Sequence, residues 1–66
     1  MIKVTDTYGK THYLAPSAIS EILEAGASSQ WHGVKAYIRT FDGMTIEVRE
    51  SAEDIAHAAL RERLGE

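Results

Sequence analysis

The sequence predicts an α+β fold, a small antiparallel sheet of two or more β-hairpins packed against one C-terminal α-helix. Three observations lead there. Two stretches alternate apolar and polar residues on either side of a glycine, at Gly9 and at Asp42-Gly43. The last stretch, from Ala52, repeats apolar residues at helical spacing. Runs of strand followed by one helix give layers of segregated type, the mark of this class. The 66 residues make one domain, because a chain of this length buries only about 60% of the surface its unfolded form exposes.

Residues 2–6 and 10–14 read as the first two strands. Thr7, Tyr8 and Gly9 form their loop, so that Ile2 faces Leu14, Val4 faces His12 and Asp6 faces Lys10. Pro16 has no N–H to give a ladder, so a helical turn is expected near residues 16–20, with Ser17 as its cap. Residues 20–25 are read as a third strand, with continued helix as the alternative. The stretch "AGASSQWHG", Ala25 to Gly33, is small, polar and bounded by glycines, and reads as a flexible loop. Strands at 34–40 and 44–49 follow. If Asp42-Gly43 were a two-residue turn, Ile38 would face Glu47 and a carboxylate would enter the apolar side. A three-residue loop of Phe41, Asp42 and Gly43 instead pairs Ile38 with Ile46 and Ala36 with Val48. Ser51 then caps a helix over about 52–64, with Glu53 and Asp54 in its first turn and Arg61 and Arg63 near its end. Ala52, Ile55, Ala56, Ala59, Leu60 and Arg63 form the expected stripe, Leu64 extends it, and Gly65 stops it.

The composition bounds the function. There is no cysteine, so neither a disulfide nor a thiolate metal site can support so small a core, and association with another subunit is the natural remaining support. Apolar runs are only a few residues long and the amino terminus lacks the basic-then-apolar order of a secretion signal. A cytoplasmic protein with no membrane association is expected. His12, His32 and His57 fall on a strand, a loop and a helix with no ligand spacing between them. Ser17 and Ser51 sit where caps belong, Asp42 where a turn needs a short carboxylate, and Glu50, Glu53 and Asp54 at a helix start. The five glycines are scattered singly and form no phosphate loop. No enzyme activity, cofactor, metal or small-molecule substrate is therefore expected.

Two surfaces remain. Trp31, Tyr8 and Phe41 are aromatic residues in loops, and Trp31 either folds back onto the core or anchors a homodimer or protein partner. The second surface is the solvent face of the strands. With Ile2, Val4, Leu14, Ala36, Ile38, Ile46 and Val48 inward, the outer side carries Lys3, Tyr13, Lys35, Tyr37, Arg39 and Arg49 beside threonines, with Glu47 the one acid. Four of the seven basic residues lie there, so single-stranded nucleic acid is an alternative partner, with tyrosines as stacking platforms. The net charge of −3 argues against wholesale electrostatic binding of this kind.

The frame "MIKVT…GKTHYLAPSAISEI" followed by "DGMTIEVRESAEDI" resembles the small FlbD-type proteins encoded with bacterial flagellar and swarming genes. The shared features are the Met-Ile-Lys start, a Gly-Lys turn, Tyr-Leu before a proline, and a closing glycine, strand, Glu-Ser and acidic helix. They span most of the chain. The resemblance implies a small non-enzymatic accessory protein and transfers no catalytic residues.

Overall fold

Both hairpins close in the same way. Asp6 N–H donates to the Lys10 carbonyl at 2.9 Å and Gly9 N–H to the Asp6 carbonyl at 3.1 Å; Thr40 N–H reaches Met44 at 3.0 Å and Gly43 N–H reaches Thr40 at 3.1 Å. Gly9 and Gly43 hold φ of 85° and 90°, the left-handed region that a side chain enters at a cost of about 1–2 kcal/mol. Because each loop has three residues, facing positions share parity. β1 (Ile2–Thr5) pairs with β2 (Thr11–Leu14), Ile2 opposite Leu14 and Val4 opposite His12. β4 (Ala36–Thr40) pairs with β5 (Thr45–Val48), Ile38 opposite Ile46 and Ala36 opposite Val48. The chain is seen here as a computed structural model that describes the backbone of residues 1–64 and the side chains of residues 1–62.

A single 3-10 turn, Pro16–Ala18, leads into β3 (Ile19–Glu24), which pairs antiparallel with β4 and bulges at Ser20. The turn has Ala15 at its start and no side-chain cap. Ser17 is therefore not the cap expected of it but an exposed residue inside the turn. The turn begins one residue earlier because proline is favoured at a first helical position, where its missing N–H leaves nothing unpaired. Residues 25–33 also depart from the expected flexible loop. They contain a short helix, α1 (Ala27–Trp31), between buried Ala25 and buried Val34. The Gln30 side-chain amide donates to the Ala25 carbonyl at 2.9 Å, and Val34 N–H donates to Ser29 at 3.1 Å. These bonds close the segment on itself, and the Ala25 N–H donates to the Lys35 carbonyl at 3.1 Å, at the end of the β3–β4 pairing.

The strands form two sheets, β1-β2 and β3-β4-β5. They meet at one corner, where Asp6 bridges Val48 and Arg49 N–H donates to the Thr5 carbonyl at 2.9 Å. The Glu50 carboxylate fastens this corner by accepting Thr5 N–H on both oxygens, at 2.9 and 3.0 Å. The inward faces of both sheets supply one core of Ile2, Val4, Ala36, Ile38, Ile46 and Val48, completed by Ile55 of α2 (Ala52–Leu64). α2 touches β1, β3 and the 3-10 turn, so it spans from one sheet to the other. Its covered face holds Ile55 with Ala52, Ala58 and Ala59, while Ala56 and Leu60, expected on the stripe, are exposed. Ile55 decides this rotation: at about 100° per residue, centring it on the core leaves Ala52, Ala58 and Ala59 on its flanks and turns Ala56 and Leu60 away. The side chains of Arg63 and Leu64 and the stop at Gly65 lie outside the described residues.

Candidate interaction surface

The side chains of Trp31, Tyr8 and Phe41 are 89%, 94% and 75% exposed. The fold does not bring the three together. Trp31 ends α1, ahead of β4, while Phe41 follows β4 at its other end, so a strand of about 17 Å separates them. Tyr8 and Phe41, by contrast, flank two adjoining hollows at the same end of the molecule.

The larger hollow, about 430 Å³, lies between the first hairpin and the tip of the second. Its walls are Leu14 and His12 of β2, Ala18 of the 3-10 turn, and Phe41, Met44 and Ile46, with Thr40 and Asp42 at the rim. It exists because inward-facing side chains of β2 and β5 come to sheet edges that α2, lying over β1 and β3, does not cover. The second hollow, about 200 Å³, shares His12, Met44 and Ile46 and adds Asp6, Thr7, Tyr8, Thr45 and Glu47.

Two aspartates organise the rim. Asp6 Oδ1 accepts N–H groups from Tyr8 and Lys10, each at 2.9 Å, and Oδ2 lies 2.8 Å from His12 Nε2. The hydrogen bond to His12 is the main cause that holds the Asp6 carboxyl below its usual range, with the two backbone N–H groups adding to it. Asp42 Oδ1 accepts the Thr40 hydroxyl and the Met44 N–H, and the first of these chiefly lowers its carboxyl in turn. Asp42 is thus occupied in closing the hairpin loop. The pairing of Asp6 with His12 had a signal in the sequence: both positions are even, which places them diagonally on the inward face once the loop length is fixed.

The cationic outer face differs from its expected form. Lys3 and Tyr13 belong to the two-stranded sheet, while Tyr37 and Arg39 belong to the three-stranded one, with Lys35 and Arg49 beside its strands. β3 brings Glu21 opposite Arg39 and Leu23 opposite Tyr37, so Glu47 is not the only acid on this side. Arg39 Nη1 lies 3.3 Å from Glu21, Arg49 Nη2 donates to the Thr7 carbonyl at 3.0 Å, and the half-buried Tyr37 donates its hydroxyl to Ser29 at 3.0 Å. Sequence reasoning missed Glu21 and Leu23 because the register of β3 is set by a bulge, not by a turn.

Among the described residues no group of three or more His, Asp or Glu is placed to hold a metal ion, and no helix is long and apolar enough to cross a membrane. No family model, no curated protein and no solved structure matches the chain.

Proposed function

We propose that the chain is a small non-enzymatic interaction module that self-associates, an accessory role of the kind the FlbD-type resemblance implies. The observation that carries it is Trp31, 89% exposed at the end of a helix whose Ser29 is tied to Tyr37 of β4 at 3.0 Å. A large aromatic held rigidly in water gains most by burial in a second surface, and tryptophan is the residue most often found at the centre of such contacts. A core built from only a few residues of each sheet also gains from added burial.

Trp31 is the single tryptophan, so its fluorescence reports this surface alone. In a concentration series by light scattering, the mass should rise toward a dimer while the emission shifts to the blue. Trp31→Ala should stay monomeric, with its stability changed by no more than about 0.5 kcal/mol. A monomer at every concentration overturns the reading. Single-stranded nucleic acid on Lys3, Tyr13, Lys35, Tyr37, Arg39 and Arg49 is the alternative, and it draws less support because Arg39 already has a carboxylate partner and Tyr37 an intramolecular hydrogen bond. Titration of labelled RNA and DNA at two salt concentrations separates the two, since phosphate contacts make binding steeply salt-dependent.

A further inference from the structure

We infer that the mouth between the two hairpins takes up a short extended segment of another protein, carrying an apolar side chain flanked by lysine or arginine. The inference rests on the interaction-module reading but not on self-association.

Three observations converge on it. The first is the shape and chemistry of the mouth. Its 430 Å³ is walled by Leu14, Ala18, Phe41, Met44 and Ile46, within the range of about 300–1,000 Å³ common for ligand clefts and sized for one or two large side chains rather than a helix. Phe41 and Met44 stand 75% and 57% exposed at its rim, and folding has left that apolar area uncovered.

The second is an open strand edge beside it. In β5 the even positions, Met44 and Ile46, face β4, as the Thr40 N–H to Met44 bond and the Ile38–Ile46 pairing establish. The odd positions therefore direct their backbone groups outward. Arg49 shows it directly, its N–H donating across the corner to Thr5 at 2.9 Å. Thr45 and the Glu47 N–H point the same way, and among the described residues the bridge at Val48 is the only strand pairing on this side of β5. Outward backbone groups next to an apolar cleft are the elements of recognition by strand addition, in which the main chain supplies hydrogen bonds and alternate side chains supply specificity.

The third is charge. Asp42 lines the mouth, Glu47 and Asp6 line the adjoining hollow, His12 beside Asp6 lines both, and among the described residues no lysine or arginine lines either one. Asp6 and Asp42 are both held in the anionic form by their hydrogen bonds. A cationic segment complements this rim. A second copy of this chain does not: two-fold pairing of the mouths would set the same acids against each other, in a chain already at −3.

The test uses the full chain and a fluorescein-labelled peptide, Lys-Val-Lys-Leu-Lys-Val-Lys, followed by anisotropy at low and moderate salt. Its counterpart has glutamate at every lysine position. Met44→Lys places a cation at an exposed rim position. Thr45→Pro removes an outward N–H that β4 does not use, so the hairpin ladder stays intact while strand addition is blocked. Melting curves confirm that both variants fold. The lysine peptide should bind saturably and the glutamate peptide at least about tenfold more weakly; each variant should lose about tenfold or more, and Trp31→Ala should bind as the parent does. The inference is overturned if the lysine peptide fails to bind, if both peptides bind equally, or if neither variant weakens binding. It is also overturned if Met44→Lys and Thr45→Pro abolish self-association while Trp31→Ala does not, for then a second copy fills the mouth. Loss of dimerisation in Trp31→Ala alone bears only on the functional reading, so the two failures are distinguishable.

Discussion

At the scale of the residue, Asp6 joins more of the molecule than any other polar side chain described above. It opens the first loop by accepting two backbone N–H groups, reaches His12 on the opposite strand, and sits at the corner where the sheets meet. Its carboxyl is lowered in the folded chain, so the unfolded chain binds a proton more readily. Stability is accordingly greater above about pH 3.8, the ordinary value for this group, and is lost as the pH falls through the lower value of the folded state. Asp6→Asn should flatten this acid limb in urea unfolding measured from pH 2 to pH 7, and an unchanged limb would assign it to Asp42 or another carboxylate. The turn role of Asp42 was legible because only a loop of odd length keeps Glu47 out of the core. The role of Asp6 was not read, since the register of the first hairpin sets Asp6 and His12 diagonally on one face but does not set the side-chain orientations that join them.

At the scale of the element, the two serines that stand at expected cap positions behave differently. Ser51 Oγ accepts Asp54 N–H at 3.1 Å, a capping bond at the start of α2. Ser17 lies within the 3-10 turn and makes no such bond. Ser51→Ala should cost about 1 kcal/mol in urea or thermal unfolding, and Ser17→Ala should cost little. Equal effects would mean that the α2 bond is not a working cap. The register of both hairpins could be read from the sequence because glycine and alternation fix it within a dozen residues. The face of α2 could not, since four alanines between 52 and 59 offer several stripes of equal merit, and only the docking of Ile55 chooses among them. α1 was hidden for a related reason: its serines and the flanking glycines favour a loop locally, and the residues on either side of it, Ala25 and Val34, are buried only once β3 and β4 have paired.

At the scale of the whole molecule, two sheets joined at one corner share a core that only α2 spans. Among the described residues, Ile55 is the one fully covered side chain that α2 contributes. Ile55→Ala should destabilise the chain by about 2–5 kcal/mol, a large part of what a domain of this size possesses, and denaturant midpoints by circular dichroism measure it. A loss below about 1 kcal/mol would mean that the sheets hold together without the helix. The separation into two sheets was beyond sequence reasoning, because the corner depends on backbone groups of Thr5, Val48 and Arg49 that any residues could supply. The same corner has a consequence for synthesis. Thr5 finds the Glu50 carboxylate 45 residues later in the chain, an interval that a ribosome adding about 5–20 residues per second covers in roughly 2–9 s. For that time the apolar side of the amino-terminal hairpin is open to chaperones or to a neighbouring nascent chain, and the pace of translation, rather than the speed of folding, decides how long.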